Sequence, residues 1–241
     1  MTAERPSPGQ SLEPGPAARV DRPSGAARAA ELNRVTEIDG IAEQARACLE
    51  EANRAREAAL ALSRELIRCS ANSIRAIHRG EMDQASTLLD RAAGLASQLT
   101  NIARGDIFYA GYSQDSLKEF AEARSVYALV NNEPLPNAAT LGIPWPAYLN
   151  GLGEAVGEMR RHCLDLLRGG KTSRAEFILD IMDIVYSVLV TIDYPDAVTS
   201  GLRRTTDMVR GILERTRADL TTAVLQQRLD ARMEELSRRL T

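Results

Sequence analysis

Glu119 and Glu122 stand three residues apart in Gln114–Ala123, a stretch that reads as helix. At that spacing both carboxylates lie on one face, one turn apart. Leu117, Phe120 and Ala121 put apolar side chains around them, so the pair sits at the edge of a packed surface. Two hard oxygen donors so arranged can hold a divalent metal such as Mg²⁺ or Mn²⁺. The same pattern also describes a solvated or salt-bridged helix face.

The elements that must carry this pair are helices. Apolar residues make up 44% of the 241-residue chain and aromatics only 4%, with alanine and leucine far ahead of the β-branched runs that make strands. The fold class expected is all-α, a bundle of six to seven helices. Residues 1–28 combine Pro6, Pro8, Pro14, Pro16 and Pro23 with glycine and charge and little to bury, which predicts a disordered tail before a single helical domain over 29–241. A helical pattern runs from Glu31 to Gly80, a second ends at Ile102, and the helix of the acidic pair starts near Asp106 or Ser113 and reaches about Val130. Asn131–Pro146 holds four prolines and predicts a loop packed through Leu135, Leu141, Ile143 and Trp145.

A further helix from Ala147 stops at Gly169–Gly170, and the next begins at Thr172 or Ser173 and is apolar through Leu189 on most faces. That predicts a helix in the middle of the bundle. Beyond Tyr194-Pro195, a helix marked by Val198, Leu202, Val209 and Ile212 leads to a seam of Leu225, Leu229, Met233, Leu236 and Leu240 that can pack on the bundle or on another subunit.

A net charge of −3 excludes a global basic field, so any nucleic-acid binding must use local patches. The three cysteines, Cys48, Cys69 and Cys163, lack metal-ligand spacing and read as core thiols of a reducing compartment. No apolar run approaches the ~20 residues of a membrane span, and the N-terminus lacks the basic start and apolar block of a signal peptide. The expected location is cytoplasmic, with no membrane partner.

Several motifs occur together in order: Ser63-Arg-Glu-Leu-Ile-Arg with Ala76-Ile-His-Arg-Gly80, Gln114–Ala123, Pro146-Ala-Tyr-Leu-Asn-Gly151 followed by Gly157-Glu158, and Tyr194-Pro-Asp with Leu202-Arg-Arg204. Through them the chain, from about residue 55 to 220, resembles the translin and translin-associated factor X family, in particular its prokaryotic members. The resemblance implies a translin-type bundle, assembly into a homo-oligomeric ring or barrel such as an octamer, and binding of single-stranded RNA or DNA on the inner wall. For the translin-associated factor X branch it implies a carboxylate cluster that binds Mg²⁺ and cleaves single-stranded RNA. Glu119 and Glu122 match that cluster, which makes them the candidate catalytic and metal residues. Two further acidic positions of the cluster fall on Ser173 and Phe177, which are not acidic; Glu176 and Asp180 lie nearby and substitute only under a different register.

Metal-assisted phosphodiester hydrolysis needs more than two ligands. Glu154 and Glu158, an i,i+4 pair on the polar side of the helix after the proline-rich loop, are the candidates to complete the site, with ion pairing of Glu158 to Arg124, Arg160 or Arg161 as its alternative. Arg64, Arg68, Arg75 and Arg79, with His78 among them, and a second set at Arg203, Arg204 and Arg210, can contact phosphates or instead pair with Glu65, Glu81 and Asp207. Tyr109, Tyr112 and Tyr127 can stack bases or serve the core. His78 and His162 stand near no serine or cysteine nucleophile in the linear sequence, which leaves a hydrolase of that kind unsupported, and no glycine-rich phosphate loop or dinucleotide fingerprint is present. The functions in competition are a metal-dependent endoribonuclease, a non-catalytic RNA- or DNA-binding scaffold oligomer, and a purely structural helical protein.

Overall fold

A computed structural model of the chain describes residues 25–103 and 105–240, and the side chains of 27, 31, 106, 109 and 240 fall outside that description. Most of the segment read as a tail, residues 1–24, lies outside the described residues, while Gly25–Arg28 already belong to a helix. Among the described residues six long helices form: α1 (Gly25–Arg79), α2 (Met82–Ile102), α4 (Gly111–Asn131), α6 (Trp145–Arg168), α7 (Thr172–Val190) and α9 (Leu202–Leu240). Between them stand single turns, α3 (Asp106–Tyr109), α5 (Ala138–Leu141) and α8 (Asp196–Thr199). The all-α expectation and its count of long helices hold, with no strand among the described residues.

The chain divides into two compact units at Glu51. In the first, α1 carries Leu32, Val35, Ile38, Ile41 and Leu49 exposed, together with Cys48. Cys48 is therefore not a core thiol, whereas Cys69 and Cys163 are buried.

The second unit, from Ala52 on, holds the core. Leu66, Phe120, Leu117, Val126, Met159, Ile178, Met182 and Leu202 are fully enclosed there. The central element is α6, which packs on α4, α7 and α9 and presents Gly151, Gly153 and Ala155 as small residues where its neighbours press in. The bundle-centre position expected of the helix after Thr172 is thus taken by α6. Helix α7 buries one face through Ala175, Ile178, Met182, Val185 and Leu189, and leaves Phe177, Ile184, Val188 and Val190 exposed. Periodicity could not separate the two because α7 is apolar on both faces and nothing in its own sequence says which face its chain covers.

Local chemistry explains the remaining boundaries. Gly80, at φ 78°, takes the left-handed conformation that closes α1 just after His78 and Arg79. Ser113 Oγ and Gln114 Nε2 donate to the carbonyls of Ile107 and Phe108 at 2.9 and 2.7 Å, which separates α3 from α4 and sets the start of the acidic helix close to Ser113, the later of the two starts expected. Helix α6 starts at Trp145 rather than Ala147, because Pro146 sits in the first turn, where a missing N–H costs nothing. The preceding loop packs through Ala138 and Ile143, while Leu135 and Trp145 are exposed, contrary to expectation.

Candidate metal centre and nucleic-acid interface

Helices α4 and α6 approach closely at Gly151. A Cβ placed on Gly151 would stand 2.4 Å from the Lys118 carbonyl oxygen, 2.7 Å from Ala121 Cβ and 2.9 Å from the Glu122 nitrogen. With no side chain at that point, the face of α6 that continues through Glu154 and Glu158 lies directly along the face of α4 that carries Glu119 and Glu122.

Glu119, Glu122 and Glu154 each bring a carboxylate oxygen to within 4.8 Å of the other two. Glu122 is buried at 9% exposure, and the other two are half-buried. Burial first, and then the charges of Glu119, Glu154 and Glu158, push the Glu122 carboxyl up to about 8, with Lys118 offsetting only part of this. Burial and Glu154 also raise Glu119. Lys118 Nζ donates to Glu154 Oε1 at 2.8 Å. Burial disfavours the ammonium, but this pairing outweighs it and the lysine pKa ends raised.

The donor set fits a hard divalent cation. Three oxygen ligands converge, and the crowding of like charge that lifts Glu122 is what a cation relieves. Lys118 is a site residue that sequence reasoning misses; its place one residue before Glu119 is the only signal for it.

Glu158 does not join the three. Its Oε2 lies 2.5 Å from His78 Nε2 on α1, so its partner is neither Arg124, Arg160 nor Arg161. Arg160 turns instead to Thr216 and Asp219. Ser173 is exposed, and Phe177 lies under the Arg174 guanidinium at 4.9 Å, so neither adds to the cluster. Glu176 and Asp180 line a different cleft, with Arg217 and Arg228 between α7 and α9.

All seven arginines expected to meet phosphate are exposed, and Arg210 pairs with Glu214 rather than Asp207. Arg68 pairs with Glu65 and Arg79 with Glu81, while Arg75 donates to Asn72. These local pairs are exposed on the arginine side, the kind that contributes little and exchanges readily. Arg64, Arg203 and Arg204 make no ion pair among the described residues. Arg204 faces a cleft of about 580 Å³ between α4, α6 and the start of α9, whose wall includes Lys118, Glu154, Asn150 and Met208. The cleft is therefore continuous with the carboxylate cluster. Tyr112 and Tyr127 pack against the core, which favours their structural reading, and the Tyr109 side chain lies outside the described residues.

No protein-family model matches the chain. Over 176 residues it is 32% identical to the uncharacterized protein MJ0175 of Methanocaldococcus jannaschii, covering 72% of this chain and 78% of that one. Among solved structures it is similar to AfC3PO in a complex with duplex RNA, with a TM-score of 0.70 and 32% identity over 76% of this chain and 96% of that one. Apo-NeC3PO, at 19% identity and a TM-score of 0.68 over 77% of this chain and 96% of that one, shares the fold.

Proposed function

The chain belongs to the translin family, that of the C3PO proteins, and on that footing we propose that it is a cytoplasmic RNA-binding homo-oligomer that cleaves single-stranded RNA with Mg²⁺ or Mn²⁺. The observation that carries the hydrolytic reading is the convergence of Glu119, Glu122 and Glu154 within 4.8 Å. These three hold the cation, and Lys118 keeps the Glu154 carboxylate in place from the opposite side. A divalent cation bound there supplies a Lewis acid that offsets charge on the phosphate and lowers the pKa of an attacking water.

Arg204, in the adjoining cleft, grips a phosphate of the strand through its guanidinium. Arg64, Arg68, Arg75, Arg79 and Arg203 meet further phosphates, contacts that orient the strand without reading its sequence.

The test is cleavage of a labelled single-stranded RNA, with a duplex arm because AfC3PO has been solved with duplex RNA. We expect cleavage with Mg²⁺ or Mn²⁺, none in chelator, and its loss in Glu119→Gln and Glu122→Gln with oligomer mass and RNA retention kept. Undiminished cleavage by the double variant would sink the reading. One observation favours a non-catalytic RNA- or DNA-binding scaffold: α7 contributes no acid, since Ser173 and Phe177 stand where the resemblance implies carboxylates. Salt-sensitive retention of RNA without cleavage by the wild type would establish that alternative.

A further inference from the structure

His78 lies in the last turn of α1, its side chain only 3% exposed, with Nε2 2.5 Å from Glu158 Oε2 on α6. The other ring nitrogen, Nδ1, is buried with no hydrogen-bond partner among the described residues. A carboxylate oxygen only accepts, so Nε2 carries a proton and donates to Glu158.

Glu158 then has one oxygen fixed by His78, while Oε1 has no partner among the described residues and the side chain remains 29% exposed. It follows Glu154 by one helical turn, on the face of α6 that Gly151 lays against α4. Its charge reaches Glu122 across that contact. The groups around it are His78 from α1, Glu122 from α4, and Glu154 and Arg161 from α6 itself.

We propose that His78 is a positioning residue that holds the Glu158 carboxylate in one orientation beside the three-carboxylate cluster, where Oε1 accepts the proton of the water that attacks the phosphodiester. This rests on the hydrolytic reading above. The attacking water oxygen forms a bond to phosphorus, the bond from phosphorus to the leaving ester oxygen breaks, one water proton passes to Glu158, and the leaving oxygen takes a proton from solvent. A base for this step must be unprotonated at working pH. The hydrogen bond from His78, opposed by partial burial and aided by the charges of His78 and Arg161, keeps Glu158 below the ordinary carboxylate range.

Two substitutions at His78 separate positioning from mere support. Gln can present its amide N–H where Nε2 stands, and Leu cannot. We expect His78→Leu to lower kcat on single-stranded RNA by roughly 10- to 100-fold, as for other residues that orient a reacting group. It should also raise the midpoint of the acidic limb of the pH profile, and His78→Gln should restore most of both. In the free protein, ¹⁵N spectra of the His78 ring should show a proton on Nε2, and Glu158→Gln should change them. A His78→Leu variant that melts earlier but keeps the wild-type kcat and acidic limb would make the pair a structural tie and overturn the proposal, with the hydrolytic reading intact. A wild type that does not cleave removes that reading and this one together.

Discussion

At the residue scale, the site's chemistry turns on a carboxyl that resists ionisation. Burial first, and then the neighbouring glutamates, lift Glu122 from the ordinary 4.5 to about 8. In the folded, metal-free protein it therefore keeps its proton between those values, while in the unfolded chain it loses it. The stabilisation is complete below about pH 4.5 and declines as pH rises to about 8. Each tenfold difference in proton affinity between the folded and unfolded chain corresponds to about 1.4 kcal/mol, and a change of 1 kcal/mol moves Tm by about 2–4 °C in a chain of this size. We expect the metal-free Tm to fall by several degrees from pH 5 to 8, and Glu122→Gln, which cannot ionise, to flatten the fall; calorimetry at the two pH values checks this, and an equal slope in the variant would refute it. Mn²⁺ affinity, measured by titration, should rise over the same window, because a cation must displace the proton. Glu119 and Glu122 are legible in the sequence because their spacing alone puts them on one face. The partner of Glu158 is not, because His78 stands 80 residues away and only the packing of α1 and α6 brings them together.

At the element scale, the metal centre depends on how closely two helices approach. Helix boundaries are readable from periodicity, prolines and glycines, and the long helices fall close to where those signals put them. The approach of α4 to α6 is not readable, since a glycine inside a helix also reads as a mere weakness in propensity. At Gly151 the neighbours of an added methyl include the Lys118 carbonyl and the Glu122 nitrogen, backbone atoms that cannot swing aside. Gly151→Ala must therefore push α4 from α6, despite the gain of up to about 1 kcal/mol in helix propensity that alanine brings. We expect a net loss of about 1–3 kcal/mol, the usual penalty of overpacking, together with weakened Mn²⁺ binding as Glu154 moves from Glu119 and Glu122. Gly94→Ala, on α2 with open space around the added methyl, is the control and should be neutral or stabilising in a denaturant melt. Unchanged Mn²⁺ affinity in Gly151→Ala would show that the close approach does not set the cluster's geometry.

At the scale of the whole molecule, the apolar surface exceeds what one chain covers. Phe177, Ile184 and Val188 recur at spacings of a single helical stripe on α7, all exposed, while the opposite stripe of the same helix fills the core. On α9, Leu225, Leu229, Met233 and Leu236 extend the pattern, exposed as well. Burying a side chain of this size is worth about 1.5–3 kcal/mol, so leaving a row of them in water is a cost that self-association removes. The family resemblance in the sequence implies a homo-oligomer, and the exposed stripe of α7 is a concrete surface for one. Ile184, at 62% exposure, supports the chain's own core little. Ile184→Asp should therefore leave the helical signal and fold of the subunit intact while lowering the mass seen by light scattering, since a charge buried in an apolar contact has no partner there. Because phosphate contacts add across a strand, the smaller species should also hold a long single-stranded RNA more weakly and with a shallower dependence on salt. An Ile184→Asp protein with the mass and RNA retention of the wild type would place the subunit contact elsewhere and leave the α7 stripe unexplained by assembly.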